Sequence, residues 1–157
     1  MSNVRNYNPS EGQAYQGDVC IFLVPKKVAV KLNRIDEISP VAGRLILQEG
    51  EFSGHHHAIK LPQPVMFRDD AMAQELETNT RAAAATARMF RDPDMAQALV
   101  NEGILTRTNL TVGFLEIEGG EMTVTHEEHD GIRLPSGIYY VGRQIESAGA
   151  EERIVAD

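Results

Sequence analysis

Tryptophan is absent from this 157-residue chain, and cysteine occurs only once. A single cysteine, Cys20, excludes an internal disulfide, so a packed core must stabilise the fold. Cys20 lies within an apolar run, which favours a small buried residue over a reactive thiol. No apolar run approaches the ~20 residues of a membrane-spanning helix, and residues 1–16 lack the apolar stretch of a signal peptide. We therefore expect synthesis in the reducing cytoplasm.

Basic residues are also scarce, since 15 Lys and Arg face 23 Asp and Glu and the formal net charge is -8. A sequence-independent nucleic-acid binder needs a basic face to displace counterions from phosphates, and docking on anionic lipid needs one too. The composition therefore predicts no nucleic-acid partner and no membrane partner. An acidic surface suits solubility, cation binding or a basic protein partner instead.

What the chain does contain is mostly strand pattern. Short apolar or alternating segments bounded by Gly, Pro, Ser and Asp predict strands at 19–24, 26–32, 44–48, 52–61, 65–67, 110–118, 122–126, 138–145 and 153–155. The first of these is apolar on both faces, which is typical of a central strand. The sequence Glu118-Gly119-Gly120-Glu121 is typical of a tight β-hairpin turn.

A helical hairpin is predicted within residues 69–103. Ala71 to Arg91 are strong helix formers, Asp92-Pro93 restarts a second helix, and Gly103 closes it. The helices are gathered in one place instead of alternating with the strands, which indicates an antiparallel β fold rather than a parallel α/β fold. We therefore predict a mainly β fold class, as a small antiparallel barrel or sandwich with this helical insertion. We expect one β domain over residues 17–157. Before it, residues 1–16 form an extended N-terminal arm, held by a neighbouring subunit or by its own domain.

The five histidines fall in two short clusters, at residues 55–57 and 126–129. Residues two apart in a strand share a face, and residues three apart across a turn could face one point. If antiparallel strands bring the clusters together, four imidazoles could bind Zn²⁺ or another first-row divalent metal. The candidate metal ligands are His55, His57, His126 and His129. Neutral imidazole is the ligand, so binding would weaken below pH ~6.

Two alternatives remain open for these histidines. Histidines beside glycine-bounded turns are often exposed or form structural hydrogen bonds, and a histidine could also act as a catalyst without metal. No catalytic residues are predicted, because none of the serines lies in a Gly-x-Ser-x-Gly elbow and no phosphate-binding loop is present.

Several stretches of the chain form one composite pattern: Gly17-Asp18-Val19, Glu49-Gly50-Glu51, Gly54-His55-His56-His57, His126-Glu127-Glu128-His129, Ile132 to Tyr139, Arg143 to Glu146 and Arg153 to Asp157. Together they resemble a small uncharacterised β-domain family of bacterial and phage genomes, over residues 17–61 and 110–157. The resemblance implies that the two histidine clusters belong to one recurring pattern, and that the source is a phage or prophage. It implies no activity, and residues 68–105 look like an insertion particular to this chain.

Three functions follow as hypotheses. The first is a non-enzymatic assembly protein, such as a phage capsid decoration protein in a virion. It would form a homo-oligomer or bind a capsid shell through its arm and helical insertion. The second is a metal-dependent enzyme such as a hydrolase, in which an ion with an open position activates water. The third is a bacterial regulatory or defence-associated module.

Overall fold

The computed structural model describes residues 4–8, 13–16, 19–49, 56–61, 85–126, 130–143, 145–148 and 151–154. Its strands, in chain order, are β1 (Val4–Asn6), β2 (Ala14–Gln16), β3 (Val19–Leu23), β4 (Glu37–Ile38), β5 (Arg44–Glu49), β6 (His56–Lys60), β7 (Thr86–Phe90), β8 (Thr111–Glu118), β9 (Met122–Thr125), β10 (Gly131–Leu134), β11 (Gly137–Arg143), β12 (Ile145–Ala148) and β13 (Glu151–Ile154). Its helices are α1 (Lys26–Ala29) and α2 (Pro93–Asn101).

The strands form two large sheets, which confirms the mainly β prediction. One has five strands in the order β1-β10-β9-β6-β5, and the other has six in the order β2-β3-β11-β8-β7-β4. Strands β12 and β13 form a separate antiparallel pair. Pairing is antiparallel except between β1 and β10, which are parallel. Neither large sheet closes on itself through the strands that are described, so the arrangement is a sandwich.

The main core lies between the two large sheets. Leu45, Ile59 and Val124 of the five-stranded sheet cluster there with Ile21 and Leu115 of the six-stranded sheet, all with no exposed surface. A second cluster covers the other face of the six-stranded sheet, where both helices pack. The six-stranded sheet is therefore buried on both sides, which explains why residues 19–24 are apolar throughout.

The N-terminal arm is held by its own domain. Strand β1 extends the five-stranded sheet beside β10, and β2 extends the six-stranded sheet beside β3. Between them Tyr7 is buried, with its ring edge-on to Tyr139 at 5.4 Å between ring centres. The Tyr7 hydroxyl oxygen accepts the backbone N–H of Leu23 at 2.8 Å. The arm thus contributes strands and a core side chain to both sheets.

The predicted strand at residues 26–32 is wrong, since the structure has helix α1 there. Val28 and Leu32 are buried while Val30 is 81% exposed. Burial therefore follows the four-residue spacing of one helix face rather than the two-residue alternation of a strand. Pro25 precedes the first turn, where its lack of an N–H costs nothing.

The helical hairpin is only partly confirmed. The second helix is α2, with the Asp92 carboxylate accepting the N–H of Met95 and Gly103 at a φ of 77°. The end of the predicted first helix is wrong, because residues 86–90 form β7 between β4 and β8. Alternating burial of Ala85, Ala87 and Met89 against the sheet outweighs the helix propensity of alanine. Residues 62–84 lie outside the described residues, as do the strand predicted at 65–67 and residues 52–55. No helix in the described part of the chain is long and apolar enough to cross a membrane.

The turn at residues 118–121 is confirmed as a turn but not as a hairpin. Gly119 has a φ of 79°, as the sequence predicts. However, β8 pairs with β7 and β11, whereas β9 pairs with β6 and β10. The chain crosses from one sheet to the other at this turn, so the two strands face each other across the core.

Candidate metal centre

The register of β6 and β9 brings one histidine of each cluster together. Ala58 pairs with Thr125, and His57 and His126 each lie one residue further along. Side chains at opposite positions of an antiparallel pair leave the same face of the sheet. The two imidazole rings accordingly lie 4.3 Å apart between ring centres, with an angle of 32° between their planes.

Both rings are buried in the sandwich interior. His57 has no exposed surface and His126 is 7% exposed. His57 lies two residues before Ile59, so it shares the face of β6 that lines the core between the sheets. A buried imidazole keeps a polar nitrogen among apolar neighbours only where hydrogen bonds or a metal ion satisfy it.

Gln16 connects this histidine pair to the opposite sheet. It is the last residue of β2, in the six-stranded sheet, and is 1% exposed. Its amide nitrogen donates to the backbone oxygens of Val124 at 3.1 Å and Asp130 at 2.8 Å. Its amide oxygen lies 2.8 Å from Nδ1 of His57. One side chain of the arm thus bridges β9, the segment before β10, and His57 on β6.

These contacts determine which nitrogen of His57 carries the proton. The Gln16 amide nitrogen faces two carbonyl oxygens, which only accept hydrogen bonds, so the amide cannot be reversed. The Gln16 oxygen therefore faces His57, and it also only accepts. Nδ1 of His57 must then be the donor to Gln16, so that in a neutral ring Nε2 is the nitrogen that carries no proton.

This arrangement suits a transition-metal ligand. Metal-bound histidines usually bind through one nitrogen while the other donates to an oxygen that orients the ring. Two imidazoles that bind one tetrahedral ion at about 2.1 Å have ring centres roughly 5.3 Å apart. The ring centres of His57 and His126 are closer than that, at 4.3 Å, so the rings would have to move apart for both to bind one ion.

Of the four predicted metal ligands, the structure brings His57 and His126 together, whereas His55 and His129 lie outside the described residues. Among residues that are described, no group of three or more His, Cys, Asp or Glu side chains is arranged for a metal ion. Gln16 was missed, because a polar residue in a polar arm carries no local signal that it crosses to another sheet.

A cavity of about 290 Å³ lies elsewhere, at the start of α2. It is lined by Arg91, Asp92, Pro93, Ala96, Thr108, Thr111, Val112 and Gly113. Neither His57 nor His126 lines it, so the buried ring pair does not open into this space. Asp92 in its wall already accepts the N–H groups of Asn33 and Met95.

Cys20, the remaining soft ligand type, is buried as predicted. Burial raises the pKa of its thiol to about 11. The thiol donates to the side-chain oxygen of Gln13 at 3.2 Å. Since the thiolate is the form that binds metals and attacks electrophiles, this thiol suits neither role near neutral pH.

Comparison of the chain with family models, with curated proteins and with solved structures found no match in any of the three. The resemblance to a bacterial and phage family therefore stays a prediction. Functional inference depends on the geometry of His57, His126 and Gln16.

Proposed function

We propose that this protein is a metal-binding β domain, in which His57 and His126 bind one first-row divalent ion. The observation that carries the proposal is the buried contact between the two rings, one from each histidine cluster. The sequence prediction adds His55 and His129 as the other two ligands, which would complete the four positions of a tetrahedral Zn²⁺ site.

The burial of the ring pair favours a structural ion over a catalytic one. A hydrolytic metal keeps one position open to water and substrate. His57 has no exposed surface and His126 has little, as expected of a closed site between two sheets. The ion would join β6 to the end of β9, and its binding energy would add to folding stability.

The experiment is a metal titration of tag-free protein after treatment with a chelator. Elemental analysis should find one ion per chain, and Co²⁺ should give the visible absorption of a four-coordinate site. His57→Ala and His126→Ala should each abolish binding, whereas the matched change His56→Ala should leave it intact, since His56 is not among the predicted ligands. Circular dichroism of each variant separates lost binding from lost folding.

Clear outcomes would overturn this proposal. One is a wild-type protein that takes up less than stoichiometric Zn²⁺, Co²⁺ and Ni²⁺ after reconstitution. Another is a folded His57→Ala variant that binds as tightly as the wild type. If His56→Ala lost binding while His126→Ala kept it, the ion would be held by the histidines at residues 55–57 rather than by the buried pair.

A second proposal, an assembly role, is favoured by the position of the arm at two sheet edges. Strands β1 and β2 are the outermost strands of their sheets, and they expose Val4 to 48% and Tyr15 to 43%. Edge strands offer backbone groups that pair with strands of another chain. The supported form of this role is a homo-oligomer, and a place in a capsid or virion stays a prediction from the sequence.

Native mass spectrometry over a range of concentrations tests the assembly proposal. We expect a dimer or larger species that dissociates when Val4 and Tyr15 are both replaced by lysine, because charges on an edge strand oppose pairing. A wild type that stays monomeric at all concentrations would contradict it. The metal proposal would be unaffected, since His57 and His126 belong to one chain.

A further inference from the structure

The cavity of about 290 Å³ at the start of α2 has no part in either proposal above. We propose that it binds a small organic acid, whose carboxylate pairs with Arg91 and whose apolar part lies against Pro93, Ala96 and Val112. The inference needs no metal ion and no second chain. It can therefore fail or hold independently of both proposed functions.

The size of the cavity limits the class of ligand. Ligand pockets in proteins usually measure about 300 to 1,000 Å³, so a cavity of about 290 Å³ lies at the lower end of that range. One water molecule takes up about 30 Å³ of liquid, so the space holds the equivalent of about ten waters. A single inorganic ion would leave most of it unfilled, and a nucleotide would not fit. The size suits a small organic molecule.

The acidic group of the lining is already engaged within the protein. Asp92 is 7% exposed, and its two carboxylate oxygens accept the N–H groups of Asn33 and Met95. As the N-cap of α2, it also faces the positive end of the helix dipole. The carboxylate and the helix start therefore satisfy each other, and neither is the group that would recognise a ligand.

Arg91, the basic residue of the lining, keeps donors for a ligand. Its side chain is 56% exposed, and its contact with the exposed Asp36 carboxylate is long, at 3.4 Å. Exposed ion pairs of this kind stabilise a protein little. A guanidinium carries five N–H groups in a planar fork, which matches the two oxygens of a carboxylate. A ligand carboxylate can therefore share Arg91 with Asp36 or displace it.

The rest of the lining is mostly apolar. Pro93, Ala96 and Val112 have no hydrogen-bonding side chain, and Thr108 and Thr111 each add one hydroxyl and one methyl group. A ligand that fits this wall is apolar away from its charged end, because a second polar group would lose its water without gaining a partner. A short branched aliphatic acid such as isovalerate has both parts.

Titration of the wild-type protein with isovalerate at constant ionic strength, followed by backbone NMR, tests the site. We expect saturable shifts at Ala96, Thr108 and Gly113, with a dissociation constant on the order of 1 mM, as suits so small a ligand. Acetate keeps the charge but lacks most of the apolar part, so it should bind at least about 10-fold more weakly. Isovaleramide, which is neutral, and isoamylamine, which is cationic, should lose at least as much.

Variants test the role of Arg91. Arg91→Gln should weaken isovalerate binding about 10-fold or more, because it removes the charged donor. Arg88→Gln is the matched control, since Arg88 is 50% exposed, pairs with Glu37 and does not line the cavity, so the affinity should stay unchanged. Asp36→Asn removes the competing carboxylate and should tighten binding about 2- to 5-fold. Loss of folding cannot produce such a gain.

Several results would overturn the inference. One is a lack of saturable shifts at the lining residues with tens of millimolar isovalerate. Equal affinities for acetate and isovalerate would mean that the acid binds an exposed arginine outside the cavity. Tighter binding of isoamylamine would assign the cavity to cations through Asp92. Equal losses in Arg91→Gln and Arg88→Gln would show a general effect of surface charge instead of a site at Arg91.

Discussion

Removal of the Tyr7 ring provides a direct test of whether the arm belongs to the fold. Tyr7 is 8% exposed, packs edge-on against Tyr139, and accepts the N–H of Leu23. Replacing a buried aromatic ring by alanine typically costs about 3 to 5 kcal/mol. We expect Tyr7→Ala to lower the free energy of unfolding by roughly that amount, a large part of the 5–15 kcal/mol of a typical domain.

The hydroxyl contribution can be separated from that of the ring. Tyr7→Phe keeps the ring and removes only the acceptor of the Leu23 N–H, so we expect a loss of about 1 to 1.5 kcal/mol. Tyr15→Phe is the matched control on the same arm. Its ring is 43% exposed and its hydroxyl donates to exposed Gln13, so the expected change is under about 0.5 kcal/mol.

Urea unfolding at two protein concentrations, followed by circular dichroism, measures these changes. If the arm docks on its own domain, the three variants should rank as given at both concentrations. A Tyr7→Ala protein within about 1 kcal/mol of the wild type would refute the reasoning, because the ring would then not be buried in solution. A strong concentration dependence would show that unfolding is coupled to dissociation of an oligomer, as the assembly proposal expects.

Three further predictions follow from single contacts. Arg34 donates a hydrogen bond to the Glu116 carboxylate and thereby lowers the pKa of that carboxyl. The pair therefore stabilises the fold fully above the ordinary carboxyl pKa, and this stabilisation is lost as the pH falls through the lowered pKa. The difference in stability between the wild type and Glu116→Gln should accordingly shrink below about pH 4. A β-carbon on Gly113 would lie 2.7 Å from the backbone oxygen of Phe90, so Gly113→Ala should cost about 1 to 3 kcal/mol in urea unfolding. Burial raises the pKa of Cys20 to about 11, so iodoacetamide at pH 8 should modify it only as fast as the protein opens.

Each of these has its own control. Glu102→Gln removes a carboxylate whose partner Lys27 is exposed, and it should change stability little at any pH. Gly131→Ala meets side-chain atoms at 3.3 Å and should cost less than Gly113→Ala. A native-state labelling rate of Cys20 equal to that of a free thiol, or equal costs for the two glycine changes, would contradict the packing described.

Much of the fold could be predicted because alternating hydrophobicity reports directly on burial. The strands predicted at 19–24, from a continuous apolar run, and at 44–48 correspond to β3 and β5, and Asp92, Pro93 and Gly103 located the second helix. The prediction failed where a segment fits both the two-residue alternation of a strand and the four-residue spacing of a helix face. A run of alternating lysine and aliphatic residues fits a strand and a helix turn alike, and only the packing of Val28 and Leu32 decides between them.

Which distant strands pair with each other was harder to predict from the sequence. The glycines at 119 and 120 indicate a tight turn, but nothing local shows that the next strand enters the opposite sheet. The approach of His57 to His126 was expected from antiparallel pairing, since both lie near strand ends. The contacts of Gln16 were not expected, because its three partners come from segments about 40 to 115 residues away along the chain.

The parallel pairing of β1 with β10 has a consequence for biosynthesis. Asn6 lies opposite Arg133, 127 residues later, and β3 likewise pairs with β11. Strands β1 and β3 are therefore synthesised more than 100 residues before the strands β10 and β11 beside which they lie. Contacts of such long sequence separation form slowly, so the apolar run at residues 19–24 lacks its β11 partner until residues 139–143 have been made, and in the nascent chain it is a segment prone to aggregation.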